Sequence, residues 1–398
     1  MDKIKILKLT LISILIGCVS GAMIGVFLIL LGKAIELNLS ISWLIFLLPI
    51  SGMFMTFLYK KYGKNSKKGN NLIIENINGN DEKINFIMAP LVFIGTVLTH
   101  LFGGSVGREG TGVQIGGTIG NALADIFKKT DMEKRILLIS GVSAGFSSVF
   151  GTPIAGTIFA VEISTIGKLN YASMLPAIIA AIVGDKAARF IGATHSHFKV
   201  PEVEPFIALN IVKVIILAIL FGMASKLFVY MTHWFKDTFN KNINSDYLKI
   251  FIGGSIVVVV TLLLGNRTYN NLSLGLLNDA FNGDSAYYAF ILKLLLTTLC
   301  LGVGYQGGEV TPLFVIGSTL GAALAPILGV PVVFAAALGL IGVFAGATNA
   351  PIASFALYLE LFGANNMIFA IIICIVSVFI SGRDGIYSSQ LWSESLEY

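Results

Sequence analysis

Charge is scarce in this chain. Only 12% of its 398 residues are Asp, Glu, Lys or Arg, against 55% hydrophobic residues, a balance that excludes a soluble protein of this size and places it in a bilayer. Cysteine is scarce too. Cys18, Cys300 and Cys374 fall in apolar runs with no pairing pattern and no metal spacing, so they read as small core residues and not as a disulfide framework. The histidines His100, His195, His197 and His233 lack metal-ligand spacing, and no His-Glu-x-x-His stretch occurs, which argues against an intramembrane zinc enzyme. No cofactor or metal motif is present, and no catalytic residue is expected.

The net charge of +5 does not indicate nucleic acid, because the basic residues gather where membrane orientation puts them. Lys3, Lys5 and Lys8 precede the first apolar run, and Lys60, Lys61, Lys64, Lys67 and Lys68 follow the second. The positive-inside rule then sets both clusters, and the N-terminus, in the cytoplasm of a bacterial-type inner (plasma) membrane.

Apolar runs recur at about residues 9–31, 41–59, 87–102, 136–150, 172–192, 206–230, 250–265 and 286–303. Several are shorter than the roughly 20 residues that cross the hydrocarbon, and glycines stand at their ends, which predicts tilted, broken or re-entrant helices. Lys3 to Lys8 followed by Leu9–Gly17 resembles a signal peptide, and Leu15-Ile16-Gly17-Cys18 a lipoprotein box. The run continues to Leu31, however, which favours a retained transmembrane helix.

The chain repeats itself. Ile115-Gly116-Gly117-Thr118-Ile119-Gly120 is echoed by Ile316-Gly317-Ser318-Thr319-Leu320-Gly321 at an offset of 201. Thr152-Pro153-Ile154-Ala155-Gly156 through Glu162 is echoed by Ala350-Pro351-Ile352-Ala353-Ser354 through Glu360 at 198, as Gly141 and Phe146 are by Gly339 and Phe344. The expected organisation is one transport domain over 1–398, with N-terminal helices and a basic loop at 1–84. Repeat cores follow at 85–234 and 250–390, with a polar stretch at about 235–249 between them and no soluble regulatory domain after the second.

Each repeat opens with a glycine-rich turn into a helix: Gly103-Gly104-Ser105-Val106-Gly107-Arg108-Glu109-Gly110, then Gly307-Gly308-Glu309-Val310-Thr311-Pro312. Free N–H groups and the helix dipole attract anions at such a start, and Pro312 suits a first helical turn. Glu109, an acid in an apolar setting, marks an ion or proton pathway.

Gly107-Arg108-Glu109-Gly110 with Val113-Gln114-Ile115-Gly116, Gly307-Gly308 through Pro312, and Tyr387 in Gly385-Ile386-Tyr387-Ser388 resemble the signatures of the CLC anion channel and transporter family over about residues 69–390. The resemblance implies an all-α polytopic CLC-type fold of two inverted-topology repeats, a homodimer with one pore per subunit, and no enzymatic activity. It makes Glu109 the gate and proton carrier. Its anion-binding set would be Asn70, Gly107, Arg108, Gly110, Glu309, Val310, Thr311 and Tyr387, with the amides of Glu309 and Val310 and the Tyr387 hydroxyl as ligands.

Departures from the chloride pattern point to the fluoride/proton antiporter branch. Gly69-Asn70-Asn71-Leu72-Ile73 stands for the usual serine stretch, Thr111 for proline after the first motif, and Glu309-Val310-Thr311 for apolar residues in the second. Strong donors suit an ion that must lose a tight water shell. The internal acid common in chloride/proton exchangers is absent, since Ile163 follows Glu162, and Glu309 is the candidate proton relay in its place. The expected function is fluoride export in exchange for protons; the rival is a chloride/proton antiporter or chloride channel.

Plainer roles stand beside these. Glu109 could pair structurally with Arg108, although adjacent helical residues do not face each other. The symmetry of Glu162 and Glu360 favours fold maintenance. Lys293 could raise positive potential or snorkel to an interface. Asn70 and Thr311 could be caps, and Tyr387 an interfacial belt residue.

Overall fold

A computed structural model describes residues 3–80, 82–195 and 207–393; His197 and the side chain of Lys3 lie outside the described residues. Sixteen α-helices are present among them. The first eight are α1 (Lys3–Ser40), α2 (Leu48–Tyr62), α3 (Asn70–Ile77), α4 (Met88–Leu101), α5 (Glu109–Ile126), α6 (Asp131–Phe150), α7 (Pro153–Glu162) and α8 (Met174–Ile191). The second eight are α9 (Ala208–Asn242), α10 (Asp246–Leu264), α11 (Leu274–Asn282), α12 (Ala289–Val303), α13 (Val310–Leu328), α14 (Val332–Thr348), α15 (Pro351–Phe362) and α16 (Met367–Ser381). Five helical segments, Lys5–Ser40, Ser42–Tyr62, Ala208–Asn242, Asp246–Leu264 and Val310–Leu328, are long and apolar enough to cross a bilayer. Six further apolar helices, α4, α7, α12, α14, α15 and α16, are shorter, as broken spans require.

The repeat is visible in the packing. α5 lies on α6 because Gly116 faces the carbonyl of Gly141 and Gly120 that of Leu137, so close that any Cβ would collide with backbone. α13 lies on α14 in the same way, Gly317 over Gly339 and Gly321 over Ala335. Small residues permit this approach where lipid offers no hydrophobic drive between helices. Each repeat then turns on a left-handed residue, Gly151 at φ +76° and Asn349 at φ +53°, before a proline starts the next helix, α7 at Pro153 and α15 at Pro351.

α7 and α15 run antiparallel, each closing the other. The Glu162 carboxylate at the end of α7 accepts the N–H groups of Ile352 and Ala353 at 3.1 and 2.8 Å, and Glu360 at the end of α15 accepts those of Ile154 and Ala155 at 2.9 and 2.7 Å. Four orphan donors are thereby met by two acids. The fold is thus a polytopic helical one with two inverted repeats.

Two expectations need correction. Cys18 is exposed and not in the core, because α1 turns its Gly17, Gly21 and Gly25 face, and not Cys18, toward α8. That embedded glycine face makes α1 part of the packed body. Part of the polar stretch at 235–249 is helical, since α9 continues to Asn242. The second correction is that Lys293 does not snorkel; it is fully buried.

Candidate functional site

The two glycine-rich turns meet. Gly107 and Gly308, equivalent at the 201 offset, exchange backbone hydrogen bonds across the repeats, Gly107 N–H to Gly308 O at 2.5 Å and Gly308 N–H to Gly107 O at 2.7 Å. This bridge brings the first turns of α5 and α13 together. It also corrects one expectation: the Gly107 amide is committed to a carbonyl and does not face an anion.

Glu109, fully buried at the first turn of α5, lays its carboxylate on the start of α13. Oε2 accepts the Thr311 N–H at 2.9 Å and the Arg108 N–H at 3.1 Å, while Oε1 accepts a short hydrogen bond from the Thr311 hydroxyl. A negative group at a helix N-terminus meets both free donors and the positive end of the dipole. Arg108 Nε stands 3.5 Å from Glu109 Oε1, near enough for an ion pair but outside hydrogen-bond geometry, so the neighbour contact set aside on helical grounds does form. It forms because Arg108 precedes the helix and has non-helical backbone, φ −123°. The donor that holds the carboxylate is the Thr311 amide, one residue beyond the Glu309 and Val310 amides the resemblance implied. Thr311 does not cap α13, whose N-cap is Glu309.

Glu309 turns away from Glu109 toward a second cluster. Its Oε1 accepts from the Tyr387 hydroxyl in a short bond and from Asn70 Nδ2 at 3.4 Å. Asn70 therefore reaches the site and does not serve as a loop cap, and Tyr387 is buried and not in an interfacial belt. Gly110 lies between these groups: a Cβ there would stand 3.0 Å from Asn70 Nδ2 and 3.3 Å from Glu309 Oε2, so the position needs glycine for space. Val310 is buried in the first turn of α13.

The segment that carries Tyr387 is fastened from several sides. Ile386 N–H donates to Ala347 O at 2.9 Å, Ser389 N–H to Asn71 Oδ1 at 3.1 Å, and the Ser389 hydroxyl to Glu75 at 2.9 Å. Strand β1 (Thr165–Ile166) pairs in parallel with β2 (Leu391–Trp392). Asn70 on α3 and Tyr387 are thus held in one frame. A cavity of about 540 Å³ lined by Lys67, Lys236, Asn71, Ser388 and Ser389 reaches their chain neighbours, and another of about 530 Å³ lined by Lys226 and Arg383 reaches Tyr387 itself.

Two further features lay outside the motifs. Thr111 pairs its hydroxyl with that of Thr96 at 2.6 Å. Gly141-Val142-Ser143-Ala144-Gly145 has the spacing of a hydrolase nucleophile turn. It lies in the middle of α6, and Ser143 Oγ donates to Ala177 O at 3.0 Å, so no strand-to-helix elbow exists there.

Comparison with known proteins bears on the family. Residues 51–382 match the model of the family described as voltage gated chloride channel. The chain is 39% identical over 382 residues to a chloride/fluoride channel protein of Pseudomonas syringae pv. tomato, covering 94% of this chain and 84% of that one. It is 30% identical over 322 residues to an H(+)/Cl(-) exchange transporter ClcA of Vibrio parahaemolyticus, covering 76% and 69%. A crystal structure of a CLC-type fluoride/proton antiporter superposes with a TM-score of 0.96 at 35% identity, over 99% of this chain and all of that one. A slow cyanobacterial Cl-/H+ antiporter, at TM-score 0.84 and 21% identity over 96% of each chain, shares the fold. The opposed helix starts, the inverted repeats and these likenesses lead to one assignment: the chain belongs to the voltage gated chloride channel family.

Proposed function

We propose that this protein exports fluoride from the cytoplasm in exchange for protons. The observation that carries the reading is the Glu109 carboxylate seated on the Thr311 amide and hydroxyl. A residue that holds a carboxylate with an N–H on one oxygen and an O–H on the other offers the same two donors to a bare halide. Protonation of Glu109 removes its charge, weakens both bonds and frees the seat, so anion entry and proton uptake become alternatives at one place. Glu309, bound to Tyr387 and Asn70 and one helical turn's start away, is the relay that stands in for the acid missing at Ile163.

Asn70, Arg108, Thr311 and Tyr387 then serve as anion contacts, and Arg108 adds positive charge beside the gate. The protein works as a homodimer with a pore in each subunit, its transport domain spanning 1–398 with repeat cores at 85–234 and 250–390, and its N-terminus cytoplasmic. Support for fluoride over chloride comes from Glu309 and Thr311 at the site, and from the 35% identical antiporter with which the chain superposes.

The test is reconstitution in liposomes with fluoride and pH electrodes. Fluoride efflux coupled to proton uptake, selective over chloride, is expected, and Glu309→Gln is expected to abolish the proton movement. Equal chloride and fluoride turnover would favour the chloride/proton exchanger. Intact coupling in Glu309→Gln would remove Glu309 from the relay.

A further inference from the structure

Lys293, in the middle of α12, is fully buried. Its ammonium donates to Asn271 O at 2.7 Å, Ser105 Oγ at 3.0 Å and Tyr269 O at 3.3 Å. Three acceptors meet three N–H donors, the complement of a charged lysine. All three are neutral. No carboxylate lies within ion-pair distance of it among the described residues. Burying a cation without a counter-charge is costly. The charge therefore calls for a role that the hydrogen bonds do not supply.

Its position indicates one. Ser105 sits in the first glycine-rich turn, two residues before the Gly107–Gly308 bridge and four before Glu109. Four residues span at most roughly 14 Å of extended chain, so the ammonium stands within reach of the seat that Glu109 occupies. Asn271 N–H also donates to Gly104 O at 3.1 Å, and Asn270 Nδ2 to Gly103 O at 2.7 Å, which fixes the loop at 269–271 to the same turn. The lysine is held rigidly beside the start of the path. Arg108 is the other cation there, but its side chain is 19% exposed and open to screening, whereas the field of Lys293 passes through packed protein.

We propose that Lys293 is the fixed counter-charge of the anion path, a positioning residue that raises the occupancy of the Thr311 seat by whichever anion is present, fluoride or the Glu109 carboxylate. The inference rests on the transport reading above for the identity of the seat, and deepens it by naming the charge that sets its affinity.

The test measures fluoride binding to the purified full-length protein by isothermal titration calorimetry, with chloride in parallel, in a Glu109→Gln background where no carboxylate competes for the seat, for wild-type Lys293, Lys293→Met, Lys293→Gln, Lys293→Arg and Ser105→Ala. Loss of the charge is expected to weaken fluoride binding roughly fivefold to tenfold, the effect of one unit charge over roughly 14 Å at an effective dielectric of about 20. Lys293→Arg is expected to restore binding to within about twofold. Ser105→Ala, which removes a partner and keeps the charge, is expected to leave it equally close. Wild-type affinity in a folded Lys293→Met or Lys293→Gln overturns the proposal. So does a loss in Ser105→Ala as large as in Lys293→Met, or failure of both neutral variants to fold, since either makes the lysine a brace. A wild type that binds fluoride but moves no protons refutes the transport reading and leaves this comparison intact.

Discussion

The Glu109 carboxylate and the Thr311 amide stand 2.9 Å apart across the boundary between the repeats, one at the start of α5 and the other in the first turn of α13. On the function proposed above, the gate of one repeat lies in the anion-holding position of the other. Thr311 contributes twice, by N–H and by hydroxyl, and the hydroxyl is the part that substitution can remove.

Thr311→Val keeps shape and amide but deletes that donor. A hydrogen bond to a charged acceptor contributes about 1.5–3 kcal/mol, so fluoride binding should weaken by about tenfold to a hundredfold. Chloride, which is less dependent on strong donors, should lose less. Calorimetric titration with both halides measures this, and equal losses for both would contradict a fluoride-specific role for the hydroxyl.

The reciprocal caps make a stability prediction. Glu162 is 3% exposed and Glu360 more open, and each satisfies two N–H groups of the opposite helix. Glu162→Ala should cost about 2–3 kcal/mol and Glu360→Ala about 1–2 kcal/mol, the more buried unmet donors costing more. Thermal melting of the detergent-solubilised protein orders the two. A reversed order, or no loss in either, would mean that water meets these donors.

Outside the apolar helices, the Lys68 ammonium bonded to Glu82, with help from Asn65, holds the Glu82 carboxyl below the usual carboxylate range. A folded-state value below the unfolded one adds stability that is fully present above the ordinary glutamate pKa and lost as pH falls through the lowered value. Melting curves of wild type and Glu82→Gln should therefore differ near neutrality and converge in acid. A gap that is independent of pH would show that the ion pair contributes nothing.

Much of this was legible in the sequence because it is local or repeated. The glycine turns before Glu109 and Val310, the prolines that start α7 and α15, and the symmetry of Glu162 with Glu360 all depend on residue type at fixed spacing. The symmetry even foretold a structural role, though not the cross-capping, which needs the helices placed side by side. What could not be read depends on long-range geometry. The commitment of the Gly107 amide to Gly308, the burial of Lys293 under the loop at 269–271, and the contact of Asn70 with Glu309 join residues up to 239 positions apart. One missed signal was readable: Gly17, Gly21 and Gly25 recur every fourth residue in α1, the spacing of the helix-packing face they form against α8.

The central claim is that Glu109 and fluoride compete for one seat and that the exchange carries a proton. Simultaneous fluoride-electrode and pH recordings from liposomes holding wild type or Glu109→Gln test it most directly. The account predicts proton uptake in step with fluoride efflux for wild type and none for Glu109→Gln, because an amide cannot take up and release the proton. Proton movement coupled to fluoride at the wild-type ratio in Glu109→Gln would contradict it.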